Sequence, residues 1–212
     1  MQRATRIPIA GVHVPVYHVS DTSSTLDLAA TLLSDTTTAT PHLTTIIADR
    51  QSAGRGRLGR TWTTPDGQAL LASTIVSLPT SFPTEMLGWL VHACALSVRD
   101  ALSTRLAPLG HTVSLKWPND VLVDGARKVC GILAQLAPAS SPFTTSAILG
   151  YGINIAQDAD HLATPQATSL YVEGDTEAGA DPAAVSHTLL AQILAGLDSR
   201  IRGLVTHGNA QD

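Results

Sequence analysis

Residues 49–62 read D-R-Q-S-A-G-R-G-R-L-G-R-T-W and hold three glycines and four arginines. Glycine lets the backbone adopt positive φ angles and approach a ligand closely. Arginine is always charged, and its planar fork of donors matches a carboxylate or a phosphate. A loop of this composition is suited to close over an anion, so we predict that it folds around a phosphate-bearing ligand. The alternative is a solvated basic turn.

The segment G-R-G-R-L-G at residues 54–59 also fits the dinucleotide-binding pattern G-x-G-x-x-G, and a strand-like segment precedes it. That pattern requires a helix directly after the glycines and an acidic residue about 20 residues further on. Here T-W-T-T-P-D-G-Q follows, with β-branched residues, Pro65 and an Asp-Gly turn. We therefore reject a dinucleotide-binding fold.

The composition is that of a single domain, since the chain has 212 residues of which 44% are hydrophobic. The net charge of −4 gives no support to nucleic-acid binding. No apolar run reaches the roughly 18 residues that span a membrane. Two cysteines and eight scattered histidines form neither a disulfide framework nor a zinc pattern. We expect a cytoplasmic protein that contacts neither nucleic acid nor membrane.

Lysine is rare in this chain, which has eleven arginines but only two lysines, Lys116 and Lys128. Both lysines lie in motif-like segments, K-W-P-N-D and R-K-V-C-G-I-L. A lysine is a compact, mobile point charge, whereas arginine is a planar fork. We therefore single out both lysines as candidate functional residues.

Hydrophobic periodicity predicts both strands and helices. The predicted strands are residues 12–19, 43–48, 68–78, 111–117, 147–155, and a hairpin in which an Asp-Gly turn at 124–125 joins 121–123 to 128–136. One predicted helix begins at residue 24, and two others cover residues 85–106 and 181–204. Central strands flanked by helices predict an α+β fold, with a mixed, partly antiparallel sheet and helices packed on one face.

The polar residues at the start of the first helix have two interpretations. Ser24 or Thr25 is a good N-cap residue. Hydroxyls and free N–H groups at a helix start can also hold a polar group of a ligand. The sequence leaves both interpretations open.

A site that gathers the loop, Lys116, Asp120 and Lys128 would hold several cations and one carboxylate. A carboxylic acid that attacks the α-phosphate of ATP needs such a site, because two anions meet and charge builds on the phosphoryl oxygens. Asp120 supplies the oxygen ligand that Mg²⁺ prefers. Cys130 beside Lys128 is better explained as a buried strand residue than as a nucleophile, so we expect chemistry without a covalent enzyme intermediate.

Three motifs, in this order, resemble those of the biotin protein ligases that lack a DNA-binding domain. They are G-R-G-R-L-G-R at 54–60, K-W-P-N-D at 116–120, and R-K-V-C-G-I-L at 127–133 followed by G-Y-G-I-N-I at 150–155. The segment S-T-L at 24–26 is similar to the S-T-N of the family, with Leu26 where members often have Asn. The resemblance extends over about residues 15–205.

This resemblance implies a two-step reaction. Biotin and ATP would give biotinyl-5′-AMP and pyrophosphate, and biotin would then pass to a lysine of a biotin carboxyl carrier domain. The implied catalytic residues are Lys128, Lys116 and Arg57, with Mg²⁺ at Asp120. The implied biotin-binding residues are Ser24, Thr25, Leu26, Gln51, Gly54, Arg55, Gly56, Arg57, Lys128 and Gly131. The implied nucleotide-binding residues are Arg57, Arg60, Trp62, Lys116, Asn119 and Asn154.

The resemblance also sets an expectation for the domain organisation. Family members usually continue into a small C-terminal β-barrel, which residues 203–212 cannot form, so we expect one catalytic domain over residues 1–212 without that barrel. About twenty residues precede Ser24, which is too few for the helix-turn-helix of family repressors. The alternatives are a lipoate or octanoate ligase of the same architecture and a non-catalytic biotin-binding domain. Exposed sheet edges would permit a homodimer.

Overall fold

The computed structural model describes residues 4–35, 37–141 and 144–208. Within these ranges the strands form one eight-stranded sheet in the order β1-β2-β3-β4-β8-β7-β6-β5. Strands β2 and β3 are parallel, and all other neighbours are antiparallel. The strands are β1 (Thr5–Ile7), β2 (Val16–Thr22), β3 (Thr45–Gln51), β4 (Ala69–Pro79), β5 (Val113–Lys116), β6 (Asp120–Val123), β7 (Arg127–Ser141) and β8 (Thr144–Asn154). The predicted mixed, partly antiparallel α+β sheet is confirmed.

The described α-helices lie on both faces of this sheet. They are α1 (Thr25–Ser34), α2 (Trp89–Leu106), α3 (Thr176–Ala180) and α4 (Pro182–Gly208). Alternate residues of a strand point to opposite faces. Leu70 and Val76 of β4 join the large core cluster that contains the buried side chains of α2 and α4, whereas Ile75 joins a second cluster with Leu26 and Ala29 of α1. The two long helices therefore share one face. The expectation that the helices pack on one face of the sheet is wrong for α1, whose apolar residues cover the opposite face.

The position of α1 follows from its short apolar stripe. Leu26, Ala29 and Leu33 are buried, and they pack with Ile46, Ile75 and Ile148 of the sheet. Sequence periodicity identifies such a stripe but does not indicate which face of the sheet it covers. Because α1 occupies only part of its face, the rest of that face is available for a site.

The turn and the cysteines agree with the sequence. Asp124 and Gly125 have φ angles of 49° and 69°, both positive as at the central residues of a type I′ turn, and the N–H of Ala126 donates to the carbonyl of Val123 at 3.1 Å. Cys94 and Cys130 are fully buried, and burial raises the pKa of the Cys94 thiol to about 12 and that of Cys130 above its usual value. Neither thiol is an available nucleophile.

Among the described helices, none combines the length and apolarity needed to cross a membrane.

Candidate functional site

Glycines form the floor of the site on the face of the sheet that carries α1. Gly131 of β7 and Gly152 of β8 are partners in register. A Cβ atom would lie 2.5 Å from Cε2 of Trp62 at Gly152, and 3.0 Å from Cζ3 of the same ring at Gly131. At Gly150, a Cβ atom would lie 2.9 Å from Cγ of Leu26. The missing side chains therefore let Trp62 and Leu26 approach the backbone of the sheet.

The glycine–arginine loop, residues 54–62, folds back on itself. The N–H of Trp62 donates to the carbonyl of Gly54 at 2.9 Å, and the N–H of Gly56 donates to the carbonyl of Arg60 at 2.7 Å. At the tip, Leu58 has a φ angle of 57° and its side chain is 89% exposed. These hydrogen bonds give the loop a hairpin-like form, with its tip in solvent and its end on the glycine floor.

Two of the loop arginines have protein partners. The guanidinium of Arg55 donates to the Asp27 carboxylate of α1 at 2.6 Å and to the Gln135 side chain of β7 at 3.5 Å. That of Arg57 donates to Oδ1 of Asn119 at 3.2 Å. The loop is thus attached to α1 on one side and to the K-W-P-N-D segment on the other.

A polar cluster lies where α1 begins. Oε1 of Gln51 accepts hydrogen bonds from the backbone N–H of Thr25 at 2.7 Å and from its hydroxyl at 3.0 Å. The hydroxyl of Ser73 donates to Thr25 Oγ1 at 2.8 Å. Ser24 is the N-cap residue, but its side chain makes no capping hydrogen bond within the described part of the chain. Gln51 therefore satisfies one of the free N–H groups in the first turn of α1, that of Thr25.

The β5–β6–β7 meander brings Lys128 to the Asp120 carboxylate and pairs Lys116 with Asp120 in backbone register. Lys116 and Asp120 are partners in register at the ends of β5 and β6. Nζ of Lys128 lies 2.7 Å from Oδ1 of Asp120 and 5.6 Å from the centroid of the Trp62 ring, within the range of a cation–π contact. Asp120 therefore holds Lys128 above the glycine floor.

The two asparagines of the motifs are held by hydrogen bonds inside the protein. Nδ2 of Asn119 donates to the carbonyl of Ile132 at 2.9 Å. Nδ2 of Asn154 donates to the carbonyl of Thr168 at 2.9 Å, and Oδ1 of Asn154 accepts from Nε2 of Gln157 at 3.1 Å. Both ends of the Asn154 amide are thus engaged.

These groups surround a cavity of about 720 Å³. Every site residue expected from the sequence lines this cavity except Gly54, which lines an adjoining cavity of about 460 Å³ between the loop and β7. Gly54 is also needed structurally, because a Cβ atom there would lie 2.3 Å from the carbonyl oxygen of Trp62. The cavity has further lining residues that we did not expect, including Gln157, Tyr151, Gln166 and Ala167.

The residues around Asp120 fit a magnesium ion that arrives with phosphates. One oxygen of Asp120 faces Lys128, and its second oxygen can ligate a cation. Mg²⁺ in proteins keeps several waters and uses one or two carboxylates together with substrate phosphates. One carboxylate beside several cations agrees with this chemistry and does not form a cage made of protein alone.

A second group of potential metal ligands, His111, Asp124 and Glu173, is better explained as an ion-pair network. Arg127 donates to both carboxylates, at 2.7 Å to Asp124 and 2.6 Å to Glu173. Burial alone would raise the pKa of Glu173, but hydrogen bonds from Arg127 and Thr168 outweigh this effect and lower it. The network fixes the hairpin turn to the segment that also pairs with the backbone of Lys128.

A mixed sheet with a cationic loop over a glycine floor is an arrangement suited to an anionic ligand at the sheet face. Residues 19–154, more than half of the chain, match the Biotin/lipoate A/B protein ligase family. The chain therefore belongs to this family.

Several proteins of known name, and several solved structures, are similar to this chain. A biotin--[acetyl-CoA-carboxylase] ligase of Mycobacterium tuberculosis is 39% identical over 125 residues, which are 59% of this chain and 44% of that protein. The biotin protein ligase of Aquifex aeolicus in complex with biotin and ATP is 29% identical with a TM-score of 0.62, covering 90% of this chain and 76% of that one. The biotin protein ligase of Leishmania major in complex with biotinyl-5-AMP is 25% identical with a TM-score of 0.64. The match covers 91% of this chain and 78% of that one.

The match extends over only part of the relatives. The chain spans about half the length of these relatives. It covers 44% of the Mycobacterium tuberculosis ligase, 49% of a bifunctional ligase/repressor BirA of Bacillus spizizenii and 55% of a biotin--[acetyl-CoA-carboxylase] ligase of Paracoccus denitrificans.

Proposed function

We propose that this protein activates biotin with ATP to form biotinyl-5′-AMP and transfers the biotin to a lysine of a biotin carboxyl carrier domain. The observation that supports this most strongly is the content of the 720 Å³ cavity. Five cationic side chains line it: Arg55, Arg57, Arg60, Lys116 and Lys128. A site for two reacting anions needs such an excess of cations.

In the first step, a carboxylate oxygen of biotin attacks the α-phosphorus of ATP, and the bond to pyrophosphate breaks. Lys128, Lys116 and Arg57 oppose the negative charge that builds on the phosphoryl oxygens. Asp120 positions Lys128 and would hold Mg²⁺, which neutralises phosphate charge when bound. The polar cluster of Thr25 and Gln51 would bind the biotin head.

In the second step, the neutral ε-amine of the acceptor lysine attacks the acyl carbon of the adenylate, and AMP leaves. A mixed anhydride hydrolyses readily, so the loop must exclude water. The hydrogen bonds at Gly54 and Gly56 and the attachments of Arg55 and Arg57 suit the loop to this role.

The relatives support the same substrates. The Aquifex aeolicus protein binds biotin and ATP, and the Leishmania major protein binds biotinyl-5-AMP. We place the reaction in the cytoplasm, with a carrier domain as protein partner. A homodimer could form through β1 or β5, the edge strands of the described sheet.

The decisive experiment titrates the chain with biotin by calorimetry, adds ATP·Mg²⁺, and then measures pyrophosphate release. We expect biotin binding followed by pyrophosphate release, and biotin transfer when an isolated carrier domain is added. Biotin binding without pyrophosphate release would indicate a binding domain instead of an enzyme. Binding of lipoate or octanoate but not biotin would indicate a lipoate or octanoate ligase instead.

A further inference from the structure

Regular strand pairing is interrupted at Lys128. Along β6, the adjacent residues Val121 and Leu122 pair with Cys130 and Lys128 of β7. Val129 is therefore the extra residue of a β-bulge, and a bulge changes the direction of side chains and disrupts the local ladder. On the other side of β7, the register with β8 begins only at Cys130. The direction of the Lys128 side chain thus depends on further contacts of its backbone.

Residues 166–168 supply these contacts. The N–H of Lys128 donates to the carbonyl of Gln166 at 2.7 Å, and the N–H of Thr168 donates to the carbonyl of Lys128 at 2.8 Å. Residues 166–168 lie in the connection between β8 and α3. Connections vary in position more than strands do. Side-chain contacts therefore decide where this segment holds Lys128.

Glu173 joins this segment to the residue before Lys128. Oε1 of Glu173 accepts from the Thr168 hydroxyl at 2.6 Å and from Nε of Arg127 at 2.6 Å, and Oε2 accepts from Nη2 of Arg127 at 2.8 Å. Nε2 of His111 lies 3.5 Å from the same Oε2. The Glu173 side chain is only 5% exposed. Burial opposes its charge, but hydrogen bonds from Arg127 and Thr168 outweigh burial and lower its pKa, so the carboxylate is ionised at neutral pH.

These bonds form a closed circuit around the peptide that joins Arg127 to Lys128. Charge-assisted hydrogen bonds to a carboxylate are shorter and stronger than neutral ones, and a bidentate arginine also fixes the geometry. We propose that Glu173 is a positioning residue for adenylate formation, because this circuit fixes the backbone of Lys128 and so the place of its ammonium group. The inference rests on the proposed function. Of the residues that the structure describes, those lining the cavity do not include Glu173, so it acts through Lys128.

The charge of Glu173 is what the circuit requires. Glutamine has nearly the same shape, but its amide nitrogen can only donate. Arg127 and the Thr168 hydroxyl both donate to residue 173, so Glu173→Gln loses at least one bond of the circuit. Displacement of a catalytic group by about 1 Å can reduce a rate by about 100-fold. A small shift of Lys128 is therefore sufficient to affect the reaction.

The test measures pyrophosphate release at saturating biotin and ATP·Mg²⁺. In Glu173→Gln we expect kcat to fall about tenfold, while KM for biotin stays within about twofold. Thr168→Val removes the hydroxyl but keeps the backbone pairing with Lys128, and it should lower kcat in the same direction. In a Lys128→Ala background, Glu173→Gln should cause no further loss, because residues that act as a unit are not additive.

Asp175→Asn is the matched control. Asp175 is a carboxylate with a side chain only 7% exposed, and it also accepts two hydrogen bonds from one arginine, Arg105, at 2.6 and 2.9 Å. Arg105 lies on α2, whereas Arg127 is the neighbour of Lys128. We expect Asp175→Asn to lower the unfolding temperature and to keep kcat. Thermal unfolding and biotin binding report whether each variant is folded.

Three outcomes would overturn the inference and leave Glu173 a purely structural role. They are a normal kcat in Glu173→Gln, an equal loss of kcat in Asp175→Asn, and a loss that recurs in full in the Lys128→Ala background. A folded, unmodified protein that binds no biotin and releases no pyrophosphate would instead overturn the proposed function.

Discussion

The indole ring of Trp62 lies so close to Gly152 that a Cβ atom at residue 152 would stand 2.5 Å from Cε2 of the ring. Trp62 closes the glycine–arginine loop through its N–H bond to Gly54. The contact between ring and glycine therefore sets the height of the loop above the sheet. Lys128 lies near the same ring, so the contact also bears on the proposed catalytic lysine.

Gly152→Ala should consequently disturb the site more than the core. The added methyl group must displace the Trp62 ring, and overpacking of this kind costs about 1–3 kcal/mol. We expect biotin affinity to fall about tenfold or more, measured by calorimetry. Gly88→Ala is the control, because a Cβ atom there meets no atom within 4 Å. Biotin affinity that is the same in Gly152→Ala and Gly88→Ala would show that the contact has no role in binding.

Leu26→Asn tests whether residue 26 serves packing or polar recognition. Leu26 is 4% exposed, and its side chain fills the space above Gly150. An amide in this apolar cluster loses packing and hydrogen bonds to water, so we expect the free energy of unfolding to fall by about 1–3 kcal/mol. Chemical denaturation measures the change. A variant of unchanged stability with tighter biotin binding would show that position 26 serves polar recognition and not packing.

Much of the site was predictable from the sequence, because its residues lie in short, continuous motifs. The segments around Gly54, Lys116 and Lys128 each bring several lining residues at once. The Asp124-Gly125 turn also fixes the hairpin that places Lys128 over Asp120. Local sequence thus carried the information for these positions.

The missed features depend on contacts between distant segments. The pair Asp27–Arg55 joins residues 28 positions apart, and the Trp62 ring rests on glycines from two other strands. Gln157 lies three positions after Asn154, outside every motif, and its hydrogen bond to the Asn154 side chain, which Thr168 orients, is seen only in the folded chain. The face that α1 covers was likewise set by packing, because its stripe fits either side of a sheet.

The ion pair of Arg105 with Asp175 should make stability depend on pH. Burial alone would raise the pKa of Asp175, but hydrogen bonds from Arg105 and from the Ala178 amide outweigh it and lower the pKa. A lowered folded pKa gives stability that is present above the unfolded value of about 3.9 and is lost as pH falls through the folded value. We expect unfolding temperatures to drop in acid, below about pH 4, and Asp175→Asn to reduce this drop.

Removing the arginine is the complementary change. The Asp175 side chain is 7% exposed and Arg105 is 16% exposed. Arg105→Met leaves a buried carboxylate without its arginine partner, so we expect the free energy of unfolding to fall by about 3 kcal/mol at neutral pH. Arg202→Met is the control, since the Arg202 side chain is 77% exposed in its pair with Asp198 and should contribute less than about 1 kcal/mol. If both variants lost the same amount of unfolding free energy, burial would not explain the contribution of the Arg105–Asp175 pair.

Lys128→Ala should separate binding from chemistry. Lys128 contacts the Asp120 carboxylate at 2.7 Å and lines the cavity, but it lies on a strand held by backbone pairing that alanine preserves. Removing one group that stabilises transition-state charge costs about 3–4 kcal/mol. We expect pyrophosphate release to slow by roughly 100- to 1,000-fold, whereas biotin binding falls much less.

Lys128→Arg and Asp120→Asn distinguish the charge of Lys128 from its position. Arginine keeps the charge but replaces a compact ammonium by a planar fork, so we expect only partial recovery of the rate. Asp120→Asn keeps the lysine but removes the carboxylate that holds it, and should lower the rate with biotin affinity retained. Near-normal pyrophosphate release from Lys128→Ala would remove Lys128 from the reaction and leave Lys116 and Arg57 as the cations that act on the phosphate.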